Sequence, residues 1–315
     1  MHVNSKTSDN MKRILTFFTA VLAAVLPLCA SQPADSPADR QETKEYRLSG
    51  FSGLEVSSIY QVELTQSSRY AVKVEAPDFL IPLLRVEVRA GVLQLALQDL
   101  PLDIRRRLET GRHRIRAEVS MPELNSLRMS GASKLNATGE FSTRKKFDLR
   151  LSGATNVVKL SVNAPEASLE CSGASNLYLT GRYDIARIDL SGSVKAVLNV
   201  DAREAAVRLS GAAKLSDKGT LGKLGITASG AASFELKGAL TDLDVTGSGS
   251  AKIKFSDVSA RTAKIGLSGA ANAVIDVRDE LSVSLSGAAS LRYHGGERLK
   301  IVHQNVSRGA TLSSF

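Results

Sequence analysis

Apolar and polar residues alternate in short segments along most of the chain. From Tyr46, the stretches Leu54–Val56, Val62–Leu64 and Val72–Val74 each place one polar residue between two apolar ones, and alternation resumes in Val86–Val88 and Val92–Leu97. A period of two predicts half-buried strands rather than helices. Asp78–Leu84, directly after Pro77, reads as a short helical turn or a loop.

A longer period lies on top of the alternation. A Ser-Gly pair, usually followed by Ala, recurs at Ser130, Ser152, Ser172, Ser191, Ser210, Ser229, Ser248, Ser268 and Ser286, with gaps of 22, 20, 19, 19, 19, 19, 20 and 18 residues. A period near twenty predicts a stacked solenoid, in which each unit is too small to bury its own apolar face. Aligned on the marker Ser, the residues three and one before it are apolar, as in Leu149/Leu151, Leu169/Cys171 and Ile188/Leu190. The fifth and seventh residues after it are mostly apolar, and Gly often follows, as at Gly139, Gly181, Gly219, Gly238 and Gly295. Each unit therefore reads as strand, corner, strand, Gly turn. The corner residues, represented by Ser152-Gly153, Ser172-Gly173, Ser210-Gly211 and Ser268-Gly269, are assigned a structural job. Gly supplies a positive φ, Ser a ladder of stacked hydroxyls, and Ala a fit to a tight interior corner. The predicted fold is all-β, a right-handed parallel β-helix of about 19–20 residues per coil. A left-handed coil would demand a stricter six-residue rule. At the usual strand separation nine coils span roughly 40 Å.

Several segments resemble one family in their order along the chain: Gly50-Phe51-Ser52-Gly53-Leu54-Glu55-Val56, Glu75-Ala76-Pro77-Asp78-Phe79-Leu80, Ser120-Met121-Pro122-Glu123-Leu124 and the Ser-Gly-Ala series. Together, over residues 44–310, they are similar to the bacterial auto-transporter adhesin, head GIN domain family. The resemblance implies a β-helix shaped like the pectin lyases and an adhesive role, with no catalytic residues to carry over.

Composition and targeting signals narrow the setting. Trp is absent and aromatics make up 5% of the chain, so the core must be aliphatic. Met11–Ala30 joins Lys12 and Arg13 to an apolar run from Ile14 to Leu28, which predicts a secretory signal over residues 1–30, too short to span a membrane. Met11 is an alternative start. Cys29 raises a lipoprotein reading, although Leu28 before it is larger than acylation signals prefer. The protein is expected to be exported to the periplasm, outer membrane or cell surface, with no transmembrane span once the signal is removed. Residues 31–43 read as a flexible linker. One β-helix domain follows over 44–310, irregular over 44–114 and regular over 115–296. Cys171 is then the sole cysteine, in an apolar slot that predicts a buried, inert thiol.

Candidate chemistry is sparse. His113, His294 and His303 are isolated and not at metal-ligand spacing, and no cofactor is expected. Acidic residues such as Asp189, Asp201, Glu204, Asp217, Glu235, Asp244, Asp257 and Asp276 are scattered over repeat slots and read as a mixed solvated face, with Asp189 and Asp244 between core residues. One column is more uniform. Four residues after the markers come Lys134, Asn156, Asn176, Lys195, Lys214, Lys252 and Asn272, with Ser233 and Ser290 completing the series. This strip is a candidate binding surface for an acidic glycan or another envelope polymer, consistent with a net charge of +9. A second candidate is the basic stretch Arg105, Arg106, Arg107, Arg112 and Arg114, read as a loop or hairpin. No aromatics interleave with these arginines, which argues against nucleic acid. The expected function is a non-catalytic adhesion or binding module. Two alternatives stay open: a polysaccharide-active enzyme on the same scaffold, and a structural envelope protein that self-associates through its open coil ends.

Overall fold

The computed structural model describes residues 40–98, 100–109 and 113–315. The signal segment, Cys29 included, and Arg112 lie outside the described residues. The chain from Gly53 onward is built on a parallel β-solenoid of about ten turns. Its register follows the repeat: Leu127 lies beside Leu149, Leu149 beside Leu169, Leu169 beside Ile188 and Ile188 beside Val207. This inward slot thus becomes a column of stacked aliphatic side chains, and Leu149, Leu169, Ile188, Val207 and Ile226 are all buried. Parallel stacking puts one coil's apolar face on the next, so burial accumulates along the axis.

The corner is built differently from the sequence expectation in two respects. The Gly of each marker does adopt a positive φ, +72° at Gly173 and +78° at Gly192. The Ala that follows it, however, points to solvent, as at Ala154, Ala174 and Ala212. The left-handed Gly turns the chain so that the third residue after the marker Ser enters the interior. That column reads Ser133, Thr155, Ser175, Val194, Ala213, Ala232, Ala251, Ala271 and Ala289, every member buried. Nor do the marker serines form a hydroxyl ladder. Ser172 Oγ donates to Leu151 O of the preceding coil at 3.3 Å, and Ser152 and Ser268 do the same more loosely, at 3.5 Å. The hydroxyl contact lies in the interior column, where Thr155 Oγ1 donates to Ser175 Oγ at 3.0 Å. Ser175 Oγ in turn donates to Ser172 O at 2.6 Å, so a buried polar group is satisfied within the corner.

Backbone bonds also run along the axis at the corner. Ala174 N donates to Gly153 O at 2.9 Å, Ser193 N to Gly173 O at 2.8 Å and Ala212 N to Gly192 O at 2.9 Å. Not every Gly after the second strand makes a turn. Gly181 lies inside the strand Asn176–Leu190, where a Cβ would run into Val162 O. There Gly serves close approach between coils.

The first coil, Gly53–Val56 and Tyr60–Gln66, stacks on Ser126–Met129 and Lys134–Thr138. Its other edge is covered by Val92–Leu97 and Ile115–Met121. Antiparallel strands finish that end: Leu84–Arg89 on Val92–Leu97, Ala71–Pro77 on Ile115–Met121, and Gln41–Tyr46 on Ala71–Pro77. Capping of this kind blunts an edge that would otherwise pair with another chain. Strand Gln41–Tyr46 begins inside the segment read as linker. It is almost wholly exposed, so no apolar alternation marks it; backbone pairing with Ala71–Pro77 orders it, and only Tyr46 at its end packs on the core. Asp78–Leu83 forms a 3-10 helix. The arginine-rich stretch holds an α-helix, Leu102–Glu109, rather than only loop or hairpin. At the other end the coils continue past 296. Lys300–Val306 and Thr311–Ser314 add a further turn around Gly309, at φ +95°, where Arg308 breaks up the Ser-Gly marker.

Candidate binding surface

The Lys/Asn strip is one continuous column of the sheet. Lys134 pairs with Asn156, Asn156 with Asn176, Asn176 with Lys195, Lys195 with Lys214, Lys214 with Ser233, Ser233 with Lys252, Lys252 with Asn272 and Asn272 with Ser290. Strand geometry alone brings them together, since residues at one register position in successive coils lie about 4.8 Å apart. The four lysines are exposed. Among the described residues, none of Lys134, Lys195, Lys214 and Lys252 lies within ion-pairing distance of a carboxylate. Asn272 spends its amide on Ala270 O at 2.9 Å.

The column two residues before the markers is also charged, but carboxylates stand beside two of its three arginines. It runs Arg128, Arg150, Glu170, Asp189, Arg208, Thr227, Thr246 and Gly266. Arg150 pairs with Glu170 at 3.3 Å and Arg208 with Asp189 at 3.8 Å. These residues and the neighbouring marker serines line an open groove of about 720 Å³. Asp244 falls outside this column. It lies two residues earlier, between Gly225 and Lys264, because the marker Ser248 places Thr246 in the slot. Other carboxylates are similarly engaged: Glu166 with Arg187 at 3.4 Å, Asp242 with Arg261 at 2.8 Å, and Glu235 with Lys237 and Lys254 at 3.5 and 3.7 Å.

Asp217 departs from the reading of scattered, solvated acids. It is 2% exposed and stands in an inward column between Leu198 and Leu236. Its Oδ1 accepts from Val200 N at 3.1 Å and Gly219 N at 3.0 Å. Burial raises its pKa above the ordinary carboxylate value, with Asp201 adding to the rise, while the backbone donors of Gly219, Val200 and Lys218 oppose it. Cys171 is buried as expected, its thiol pushed up to about 12 by desolvation and, secondarily, by the charge of Glu170. Such a thiol carries almost no thiolate.

Among the described residues of the basic stretch, two arginines have contacts within the protein. Arg107 lies over the Phe79 ring at 3.9 Å, a cation–π contact, and Phe79 also meets His113 edge-on. Arg114 Nη1 donates to His113 O at 2.8 Å. Arg105 and Arg106 on the helix, and Arg114, are exposed. His294 is not isolated in space: its Nδ1 lies 3.3 Å from Asp276 Oδ2, and Asp276 Oδ1 accepts from Ser259 Oγ at 2.9 Å. Among the described residues no group of three or more His, Cys, Asp or Glu is arranged to hold a metal ion.

A feature without a sequence expectation adjoins the strip. In the strand Asn156–Asn163 a register shift between Val157 and Leu160 inserts one residue opposite its neighbour. Val158, six residues after Ser152 as Tyr178 is after Ser172, faces outward at 42% exposure beside Tyr178 at 45%, and the bulge adds the exposed Lys159 next to it. The signal was present in the repeat, since the apolar residue falls eight rather than seven positions after Ser152.

The model of the family described as "Putative auto-transporter adhesin, head GIN domain" matches residues 50–216 and 184–296. The chain belongs to this family. The two matches overlap and together reach from the first coil of the head GIN domain to its last Ser-Gly marker. Among solved structures, the head GIN chain is similar to a "putative adhesin" from Bacteroides fragilis, at 15% identity over 89% of this chain and 99% of that one, with a TM-score of 0.43. It is similar also to a "putative adhesin" from Parabacteroides distasonis, at 14% identity over 88% and 98%, TM-score 0.45. A "putative lipid binding protein" from the same species matches at 14% identity over 87% and 96%, TM-score 0.41. No curated protein sequence matches the chain.

Proposed function

We propose that this head GIN protein is an exported, non-catalytic adhesion module that binds an acidic glycan or a comparable anionic polymer of the cell envelope. The observation that carries the reading is the contrast between two columns. Arginines 150 and 208 are neutralised by carboxylates beside them, whereas Lys134, Lys195, Lys214 and Lys252 stand exposed without a carboxylate partner among the described residues. A row of unpaired cations one to three coils apart along a single column suits a polymer with repeating negative charge, through a field screened over about 10 Å at ordinary salt. Adhesion fits the family and the names of the similar structures. Export rests on the signal segment, and no helix among the described residues is long and apolar enough to cross a membrane.

The test is the triple substitution Lys195→Glu, Lys214→Glu and Lys252→Glu. Exposed positions tolerate it, so circular dichroism should match the parent. Binding to whole cells and to immobilised polygalacturonate should fall by at least about tenfold at low salt. Unchanged binding would remove the strip from the function.

A further inference from the structure

The surface around the bulge differs from the rest of the solenoid's exterior. The described residues include six exposed large apolar side chains; Leu102 belongs to the N-terminal end, Ile301, Val302 and Phe315 to the last turn, and Val158 and Tyr178 to the body of the coil. Tyr178 pairs in register with the half-exposed Val197 of the next coil. Val158, Tyr178 and Val197 therefore form an apolar row running along the axis for about 10 Å. On one side lie Asn156, Asn176 and Lys195, in register. On the other lie Ser161, Thr180 and Asn199, also in register. Residues two apart on a strand share a face, so the polar rows flank Tyr178 and Val197 directly, while at the bulge the exposed Lys159 stands between Val158 and Ser161.

None of the side chains in the two flanking rows makes a hydrogen bond or ion pair within the protein, among the described residues. The Tyr178 ring is likewise free of aromatic or cationic partners there. An apolar stripe edged by neutral amides and hydroxyls, with Lys195 at one corner and Lys159 at the bulge, matches a pyranose chain. A sugar ring presents a C–H face that an aromatic ring can cover, and an edge of hydroxyls that donate and accept. Two of the flanking amides can each supply a donor and an acceptor to such an edge.

We infer that Tyr178, with Val158 and Val197, is a sugar-stacking platform at which a glycan chain lies along the solenoid axis, its hydroxyls taken by Asn156 and Asn176 on one side and Thr180 and Asn199 on the other. The inference rests on reading the adjoining strip as a binding surface and names the ligand's backbone as sugar. Ring stacking reads the sugar and the lysines read its charge, so the two contributions separate by ligand.

The experiment prints neutral polysaccharides (mannan, xylan, mixed-linkage β-glucan) and uronates (polygalacturonate, alginate) on one array. It is probed with the parent, Tyr178→Ala, Tyr178→Phe and the lysine triple variant. Tyr178→Ala should bind roughly tenfold more weakly to both classes, while Tyr178→Phe keeps the parent's affinity. A further variant, Lys214→Glu with Lys252→Glu, which leaves Lys195 beside the platform intact, should lose uronates and keep neutral chains. If the parent binds uronates and Tyr178→Ala binds them equally, the platform is refuted while the lysine strip stands. If the parent binds no polysaccharide, the platform is refuted, and whole-cell binding of the lysine triple variant still judges the adhesive reading independently.

Discussion

Replacing Gly173 by Ala tests why glycine is fixed at the corner, because two other glycines supply the control. Gly173 has φ +72°, and a Cβ built on it would lie 2.6 Å from Gly153 O, 2.9 Å from Gly153 N and 3.2 Å from Gly153 Cα. Those atoms cannot swing aside, since Gly153 O is held by Ala174 N at 2.9 Å. Gly50 has nearly the same φ, +74°, yet its Cβ would meet nothing within 4 Å, and Gly91, also at +74°, would meet only Gly50 O at 3.9 Å. Left-handed backbone costs Ala about 1–2 kcal/mol, offset in part by about 0.4–1 kcal/mol of unfolded-chain entropy. Gly50→Ala and Gly91→Ala should therefore cost about 1 kcal/mol. Gly173→Ala adds an overlap between coils, for which about 1–3 kcal/mol is typical, giving a total of about 2–4 kcal/mol. Urea denaturation followed by circular dichroism reads the difference. Hydrogen exchange at the Ala174 amide checks that the loss is local, as expected when each repeat contacts only its neighbours. Equal losses for Gly173→Ala and Gly50→Ala would mean that backbone conformation alone, and not stacking, selects glycine at the corner.

Two predictions concern buried groups. The raised pKa of Asp217 favours its protonated form in the fold, so its contribution to stability is full below about pH 4 and falls as pH rises through the folded value. Asp217→Asn keeps an acceptor for Val200 N and Gly219 N without the charge, and its midpoint should gain on the parent's between pH 4 and pH 7; parallel pH profiles would contradict this. Cys171, pushed up to about 12, should resist an aromatic disulfide reagent at pH 8 in the folded protein and react fully in denaturant, and reaction at the rate of a free thiol would place it outside the core.

The solenoid was legible because its period is local. Inward columns need only an apolar residue at a fixed offset from Ser-Gly, and the offsets of Leu169, Ile188 and Val207 match their register without exception. What could not be read is orientation at the corner. Ala174 and Ser175 are both small, and only the left-handed Gly173 decides that the second of them turns inward. The N-terminal cap was obscured for the opposite reason: Gln41–Tyr46 is held by backbone bonds to Ala71–Pro77, which leave no trace in side-chain pattern. The strip was found by counting, but its lack of carboxylate partners depended on where the neighbouring columns place theirs.

The departures from the repeat carry more information about function than the repeat itself. A stacked coil fills each slot with whatever packs on the coils beside it, so a conforming residue needs no further explanation. Asp217 breaks the rule of its column, and the break is accounted for inside the fold by two backbone donors. The outward slot holding Val158, Tyr178 and Val197 departs with no such return: it presents apolar side chains where the following coils carry Ser216 and Glu235, which costs solubility and gives no packing. An exposed apolar row bordered by polar side chains without partners is a face suited to a ligand, and its place beside the lysine strip lets one polymer occupy both.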